Sequence, residues 1–188
     1  VDCFAVSPDV MDSIAGKDNP GGLLAVAKQN YTPLASLLLS PSSLLVALVE
    51  PADPGNLGTI LRTADAVGAA GIILLDGGVD AYHPTAVRAG LGAHFWLPLT
   101  QASFSEFSAW AKAQGVQLCG TSAQGGVDYR EAHYTHPLAL LLGSEREGLS
   151  AEQRAVCDQL VTLPMRGRAT SLNLSVAAGV LLYAISSE

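Results

Sequence analysis

The sequence predicts an α/β fold: a mostly parallel sheet covered by helices on both faces. From residue 44 onward, short runs rich in Val, Ile and Leu alternate with longer segments of helical character. Within those runs nearly every position is apolar, as expected of strands buried on both faces. Apolar residues fill 49% of the 188 positions and charged residues only 14%, which supplies a full core and excludes wholesale disorder. The length is that of one ordinary domain, or one domain with a stub.

The elements follow in order. Ser7-Pro8-Asp9 reads as an N-cap followed by a first-turn proline, opening a short helix to about Ala15. Lys17 to Gly22 forms a turn or linker, and Leu23 to Ala27 is a strand candidate. Strands are expected at 44–49, 72–75, 116–120, 138–142 and 159–163. Helices are expected at 57–68, 84–91, 103–114, 150–157 and 171–185. Ser103 with Glu106 has the spacing of a capping box, and Gly115 stops that helix. Strand order cannot be read from this pattern.

The formal net charge is −7, with 10 Lys and Arg against 17 Asp and Glu. That argues against a broad nucleic-acid grip made by this chain alone, since phosphate binding needs a concentrated basic face. Cys3, Cys119 and Cys157 are odd in number and far apart, with no CxxC. Neither a disulfide framework nor a metal site is expected, and a cytoplasmic, reducing setting is. No secretory leader is visible, and the apolar stretch Leu174 to Ile185 is too short to span a bilayer. The chain begins with Val1, which fits processing or a piece of a longer protein.

Common nucleotide and hydrolase signatures fail. There is no GxxxxGK[ST]. Gly90-Leu91-Gly92-Ala93-His94-Phe95 lacks the third glycine of a dinucleotide fingerprint, and Gly120 to Gln124 misses the last glycine of a nucleophile elbow. His133 and His136 have no third ligand nearby in sequence and read as loop residues.

Three other segments carry chemistry. Pro54 to Ala64 follows a strand and opens a helix, with glycines at a turn where free backbone N–H groups can take an anion. Asn56 lies at that turn. Arg62, inside an Ala-rich helix, either points into a site or pairs with Asp65. Leu141 to Ser150 leaves a buried strand at Gly143 and bears a charged cluster, with Ser150 as a candidate N-cap; ligands of open α/β sheets bind at such strand ends. Leu163 to Ser175 ends a strand, passes two Arg, and brings Ser171, Asn173 and Ser175 to the start of an apolar helix. These segments hold Arg62, Arg146, Arg166 and Arg168, four of the ten basic residues, a concentration suited to a small polyanion site.

In order and spacing, the three segments resemble the signature motifs of the SpoU (TrmH-type) RNA 2′-O-ribose methyltransferases of the SPOUT superfamily. N-x-G-x-x-x-R reads as Asn56, Gly58 and Arg62; G-x-E-x-x-G as Gly143, Glu145 and Gly148; S-L-N-x-S as Ser171 to Ser175. Val87 to Gly92 resembles a further V-R-A-S-x-G stretch, with Gly90 in place of the serine. The resemblance spans roughly residues 44–186. It implies a deep C-terminal trefoil knot, S-adenosylmethionine as cofactor, and a homodimer with RNA as substrate, rRNA before tRNA. It implies catalytic roles for Arg62, Asn56, Glu145 and Asn173. In that scheme Asn56 holds Arg62 or the substrate, and Glu145 orients Arg62 or Asn173. The implied cofactor contacts are Thr121, Ser122, Gly143, Ser144, Gly148, Leu163, Met165, Ser171 and Leu172. The implied RNA contacts are Arg62, Arg146, Arg166 and Arg168. Residues 1–30 then read as a remnant or linker of an N-terminal RNA-binding domain, and 31–188 as the methyltransferase domain. A knotted RNA-binding module without methyl transfer, and a small-molecule methyltransferase, are the competing classes.

Overall fold

Six consecutive buried residues, Leu44–Val49, form the strand β1 around which the sheet is laid. A computed structural model describes residues 2–16, 20–123 and 125–187. The further strands are β2 (Gly71–Leu75), β3 (Leu99–Ala102), β4 (Gln117–Thr121), β5 (Val127–Asp128), β6 (Leu138–Leu142) and β7 (Gln159–Thr162). Their order is β3-β2-β1-β6-β4-β7-β5, and every pairing between them is parallel. The helices are α1 (Pro8–Ala15), α2 (Pro54–Ala66), α3 (Pro84–Ala89), α4 (Phe104–Gln114), α5 (Ala151–Ala155) and α6 (Leu174–Ser186).

The period of two along each strand divides the core between two faces. Leu44, Val46 and Leu48 of β1, with Leu138, Leu140 and Leu142 of β6, pack under Leu57, Ile60 and Leu61 of α2 and Leu181, Leu182 and Ile185 of α6. Leu45, Ala47 and Val49, with Ala139 and Leu141, pack against Phe107 and Ala111 of α4. Helices therefore cover both faces, and the near-continuous apolar runs are explained by burial on each side.

Two strands were not foreseen. The β3 run carries Thr100 and Gln101, which breaks the apolar pattern at the sheet edge. At the other edge β5 is two residues long. The expected strand at Leu23 to Ala27 does not form; Leu23 and Val26 are 90% and 94% exposed, without the burial that makes apolar runs into strands. Of the turn expected at Lys17 to Gly22, residues 17–19 lie outside the described residues. The capping expectations at Ser7, Ser103 and Ser150 hold, the latter two as complete capping boxes. Helix α2 begins three residues earlier than expected, because Asp53 caps it and Pro54 fills its first position. Helix α6 begins at Leu174, which leaves Ser171 in the preceding loop.

The chain divides into two compact units, Val1–Asn30 and Tyr31–Glu188. In the first, α1 buries none of its residues. In the second, a buried histidine supports the turn after α3. His94 Nε2–H donates to the Ala81 carbonyl at 2.8 Å, while Nδ1 has no partner among the described residues. Its ring packs against Tyr82. Burial holds its pKa below 6.5, opposed in part by the bond to Ala81. The unfolded chain accepts a proton near 6.5 where the folded chain resists it, so stability present above that pH is lost as pH falls. Thermal melts between pH 7.5 and 5 should show a declining midpoint, and His94→Gln should make the decline shallower. Parallel curves for the two proteins would contradict this role for His94.

Candidate functional site

Because every strand runs the same way, the loops leaving β1, β4, β6 and β7 emerge at one end of the sheet. Chain direction across the sheet reverses between β1 and β6: β1 leads outward to β2, and β6 leads to the β4-β7-β5 side. Such a switch point opens a crevice at the carboxyl ends of the strands. The three sequence motifs converge there.

From the β6 side, the loop Gly143 to Ser150 folds back on itself. Ser144 and Gly148 form a β-bridge, Gly148 N–H donates to the Ser144 carbonyl at 2.9 Å, and Glu147 N–H donates to Ser144 Oγ at 3.3 Å. A Cβ on residue 143 would stand 2.1 Å from the Gly148 carbonyl carbon, so only glycine admits this return. The loop projects Glu145 toward the segment leaving β1. Its carboxylate accepts N–H donors from Ala52 at 3.1 Å and Asp53 at 3.4 Å. Its observed partners are therefore backbone groups, not Arg62 or Asn173 as expected.

From the β1 side, Asp53 Oδ1 accepts the Asn56 N–H at 2.6 Å and caps α2. Of the first-turn donors, the Asn56 N–H is thus taken by the chain's own Asp53, while Glu145 takes the two N–H groups just before the helix. Asp53 was missed by the motif reading, although the Asp-Pro pair itself signals a cap and first turn. The Asn56 side chain faces the third motif: Asn173 Nδ2 donates to Asn56 Oδ1 at 2.9 Å. Asn173 Oδ1 meanwhile accepts from Ser175 N at 2.9 Å, Ser175 Oγ at 2.6 Å and Val176 N at 3.3 Å. One asparagine both caps α6 and joins it to the start of α2.

Arg62 lies exposed on α2, and among the described residues no hydrogen bond or ion pair engages its guanidinium. The alternative pairing with Asp65 does not occur; Asp65 Oδ1 accepts the indole N–H of Trp96 at 2.6 Å. Nothing in the sequence links those two residues, 31 positions apart. Thr121 Oγ1, at the end of β4, donates to the Leu141 carbonyl at 3.3 Å, and Ser122 N–H donates to the Val161 carbonyl at 2.9 Å. Leu163 packs on the core, whereas Met165 and Leu172 stay 38% and 41% exposed. Arg146, Arg166, Arg168 and Ser171 are exposed. Arg130, not singled out in sequence, pairs with Asp128 and, with a smaller contribution from Arg166, holds that carboxyl at about 2. At Gly90, a Cβ would lie 2.6 Å from His94 Cε1, so the buried histidine excludes the serine of the resembling motif. Covalent thiol chemistry is not favoured here: burial pushes Cys119 up to about 12 and Cys157 to about 11.

The family model described as SpoU rRNA Methylase matches residues 43–183. The chain is similar to the 23S rRNA (guanosine(2553)-2′-O)-methyltransferase RlmP of Bacillus subtilis, with 34% identity covering 97% of this chain and 72% of the relative. It is similar to the 23S rRNA (uridine(2479)-2′-O)-methyltransferase of Streptomyces viridochromogenes, 36% identical over 96% of this chain and 65% of the relative. A solved structure of an AdoMet-bound rRNA methyltransferase from Sinorhizobium meliloti superposes with a TM-score of 0.93 at 40% identity, covering 96% of this chain and 70% of that one.

The two duties of Asn173 can be separated. Asn173→Ser keeps a capping oxygen but is too short to reach Asn56, whereas Asn173→Ala loses both functions. Thermal or denaturant melts should show the alanine variant less stable than the serine variant by about 1 kcal/mol. Both should weaken the coupling to Asn56, read as near-additive effects when each is combined with Asn56→Ala. Equal stability of the two variants would contradict the cap.

Proposed function

Since this chain belongs to the SpoU rRNA methylase family, we propose that it transfers the methyl group of S-adenosylmethionine to a ribose 2′-hydroxyl of ribosomal RNA. The observation that carries this reading is the Asn173–Asn56 bond, which joins the first and third motifs beside the Glu145 loop at the β1/β6 switch point. The rRNA substrates named for the relatives favour rRNA over tRNA.

The residues present fit the cofactor. The ends of β6, β4 and β7 are adjacent in the sheet, and each is followed by a cofactor candidate: Gly143, Ser144 and Gly148; Thr121 and Ser122; Leu163 and Met165. The partly exposed apolar side chains of Met165 and Leu172 suit the face of a purine. Ser171 and Asn173 would shape the methionine end of the cofactor pocket. Bound S-adenosylmethionine supplies an already activated methyl group, so the protein's task is to aim the ribose hydroxyl and ease removal of its proton. Glu145 and Asp53 fix the turn that carries Asn56, and Asn56 with Asn173 fixes the position of α6 against it. Arg62, with no acid partner among the described residues, is available to the phosphate and 2′-oxygen of the substrate; a guanidinium is a poor base in water but a strong, planar donor. Arg146, Arg166 and Arg168 add phosphate contacts on exposed loops.

The same reading includes the trefoil knot, supported by family membership. It includes a homodimer, supported by the exposed apolar stripe Val176, Val180 and Tyr183 at helical spacing on α6. A cytoplasmic location suits an rRNA substrate, and among the described residues no helix is long and apolar enough to cross a membrane. Residues 1–30 as a remnant or linker of an RNA-binding domain, ahead of a methyltransferase domain at 31–188, belong to this proposal as well.

Arg62 provides its test. Arg62→Ala should retain S-adenosylmethionine affinity within a few-fold and lose methyl transfer to rRNA by at least about a hundredfold. Arg62→Lys should fail too, because a point ammonium does not reproduce the planar fork. Calorimetric titration of the cofactor and radiolabel transfer on the same proteins give both readouts. Near wild-type transfer by Arg62→Ala would overturn the assignment.

A further inference from the structure

The turn after α3 leaves three large apolar side chains in solvent: Leu91, Phe95 and Trp96 are 65%, 70% and 62% exposed. The indole of Trp96 is nevertheless fixed. Its N–H edge donates to Asp65 Oδ1 at 2.6 Å. Its benzo edge rests on Gly92, where a Cβ would stand 2.9 Å from Cη2. A ring gripped at both edges and still largely exposed offers a flat, pre-ordered face, with little side-chain entropy left to lose on contact. Asp65 lies three residues beyond Arg62 on α2, so the platform stands about one helical turn from that guanidinium. Arg88, in the last turn of α3, is a second exposed guanidinium close in sequence.

We propose that Trp96, with Phe95 beside it, is a stacking platform for an unpaired nucleobase of the RNA strand whose ribose is presented to Arg62. The inference rests on the methyltransferase reading and adds a substrate requirement to it: a flipped or single-stranded nucleotide near the target. Single-stranded RNA is recognised by stacking unstacked bases on aromatic side chains, a contact tolerant of sequence. The charge balance makes such a contact necessary. A chain with net charge −7 draws little affinity from phosphates alone, so base stacking supplies what the few Arg do not. A second copy of the chain would be the other occupant, but the apolar stripe of α6 is the surface proposed for that contact, and the exposed Arg62 and Arg88 complement the phosphates of a strand whose base stacks on the ring.

The chain has two tryptophans, so Trp110→Phe leaves Trp96 as the sole indole reporter. This protein is titrated with a mixed-sequence, single-stranded ten-nucleotide RNA and, separately, with inorganic polyphosphate. RNA should quench Trp96 emission along a saturating isotherm, and polyphosphate should not. In the otherwise unmutated chain, Trp96→Ala should weaken binding of the same RNA at least about fivefold, the lower range for one stacked base. Trp96→Phe, which keeps a ring face, should stay within about threefold, and cofactor affinity should be unchanged in both. RNA binding without a change in Trp96 emission, no binding of the RNA at all, or equal RNA affinity for Trp96→Ala and the unmutated chain would overturn the platform. So would a sedimentation shift of Trp96→Ala from dimer to monomer, which would assign the surface to a second copy. A chain that binds RNA through Trp96 yet transfers no methyl group would instead overturn the proposed function and leave the platform standing.

Discussion

The candidate site depends on a close approach of backbone to backbone at the end of β6. The chain returns past Gly143 so tightly that a single added carbon would lie 2.1 Å from the Gly148 carbonyl carbon. That return places Glu145 across the switch point, where its carboxylate takes the N–H groups of Ala52 and Asp53. Without it the loops leaving the two central strands would have no polar connection through Glu145. The energetic logic is that of preorganisation: groups held by their own fold cost little to order when substrate arrives.

Shared duties run through the site. Asn173 spends its carbonyl oxygen on the first turn of α6 and its amide on Asn56, so helix capping and motif assembly are one event. Asp53 caps α2 while Glu145 covers the preceding N–H groups. The helix start that looked like an anion site is thereby partly satisfied internally, which leaves more of the burden of holding RNA phosphate to Arg62 and to the exposed Arg of the later loops. Trp96 extends this division of labour: it takes Asp65 Oδ1, and among the described residues no acid pairs with the Arg62 guanidinium.

Much of this was legible in the sequence because it is local. Continuous apolar runs marked β1, β2, β4 and β6, and capping residues marked α4 and α5. The motif residues Asn56, Glu145 and Asn173 were marked by their resemblance to the family's motifs, and their proximity follows from a parallel sheet that gathers strand ends. What escaped was non-local or unpatterned. The edge strand β3 is half polar, β5 is two residues long, and strand order depends on crossovers that leave no periodic trace. Sequence also could not tell which partner Glu145 or Asp65 would take, since backbone N–H groups and a tryptophan far along the chain compete equally with the nearby arginine.

The proposed reaction is defined by the chemical position of the methyl group. Ribosomal RNA lacking modification is incubated with the 188-residue chain and methyl-labelled S-adenosylmethionine, then hydrolysed in alkali. A methylated 2′-oxygen cannot attack the adjoining phosphodiester, so label is expected in alkali-resistant dinucleotides that yield a 2′-O-methylnucleoside on further digestion. Label recovered in ordinary mononucleotides as a methylated base, or no label in RNA from a chain that binds the cofactor, would contradict the account.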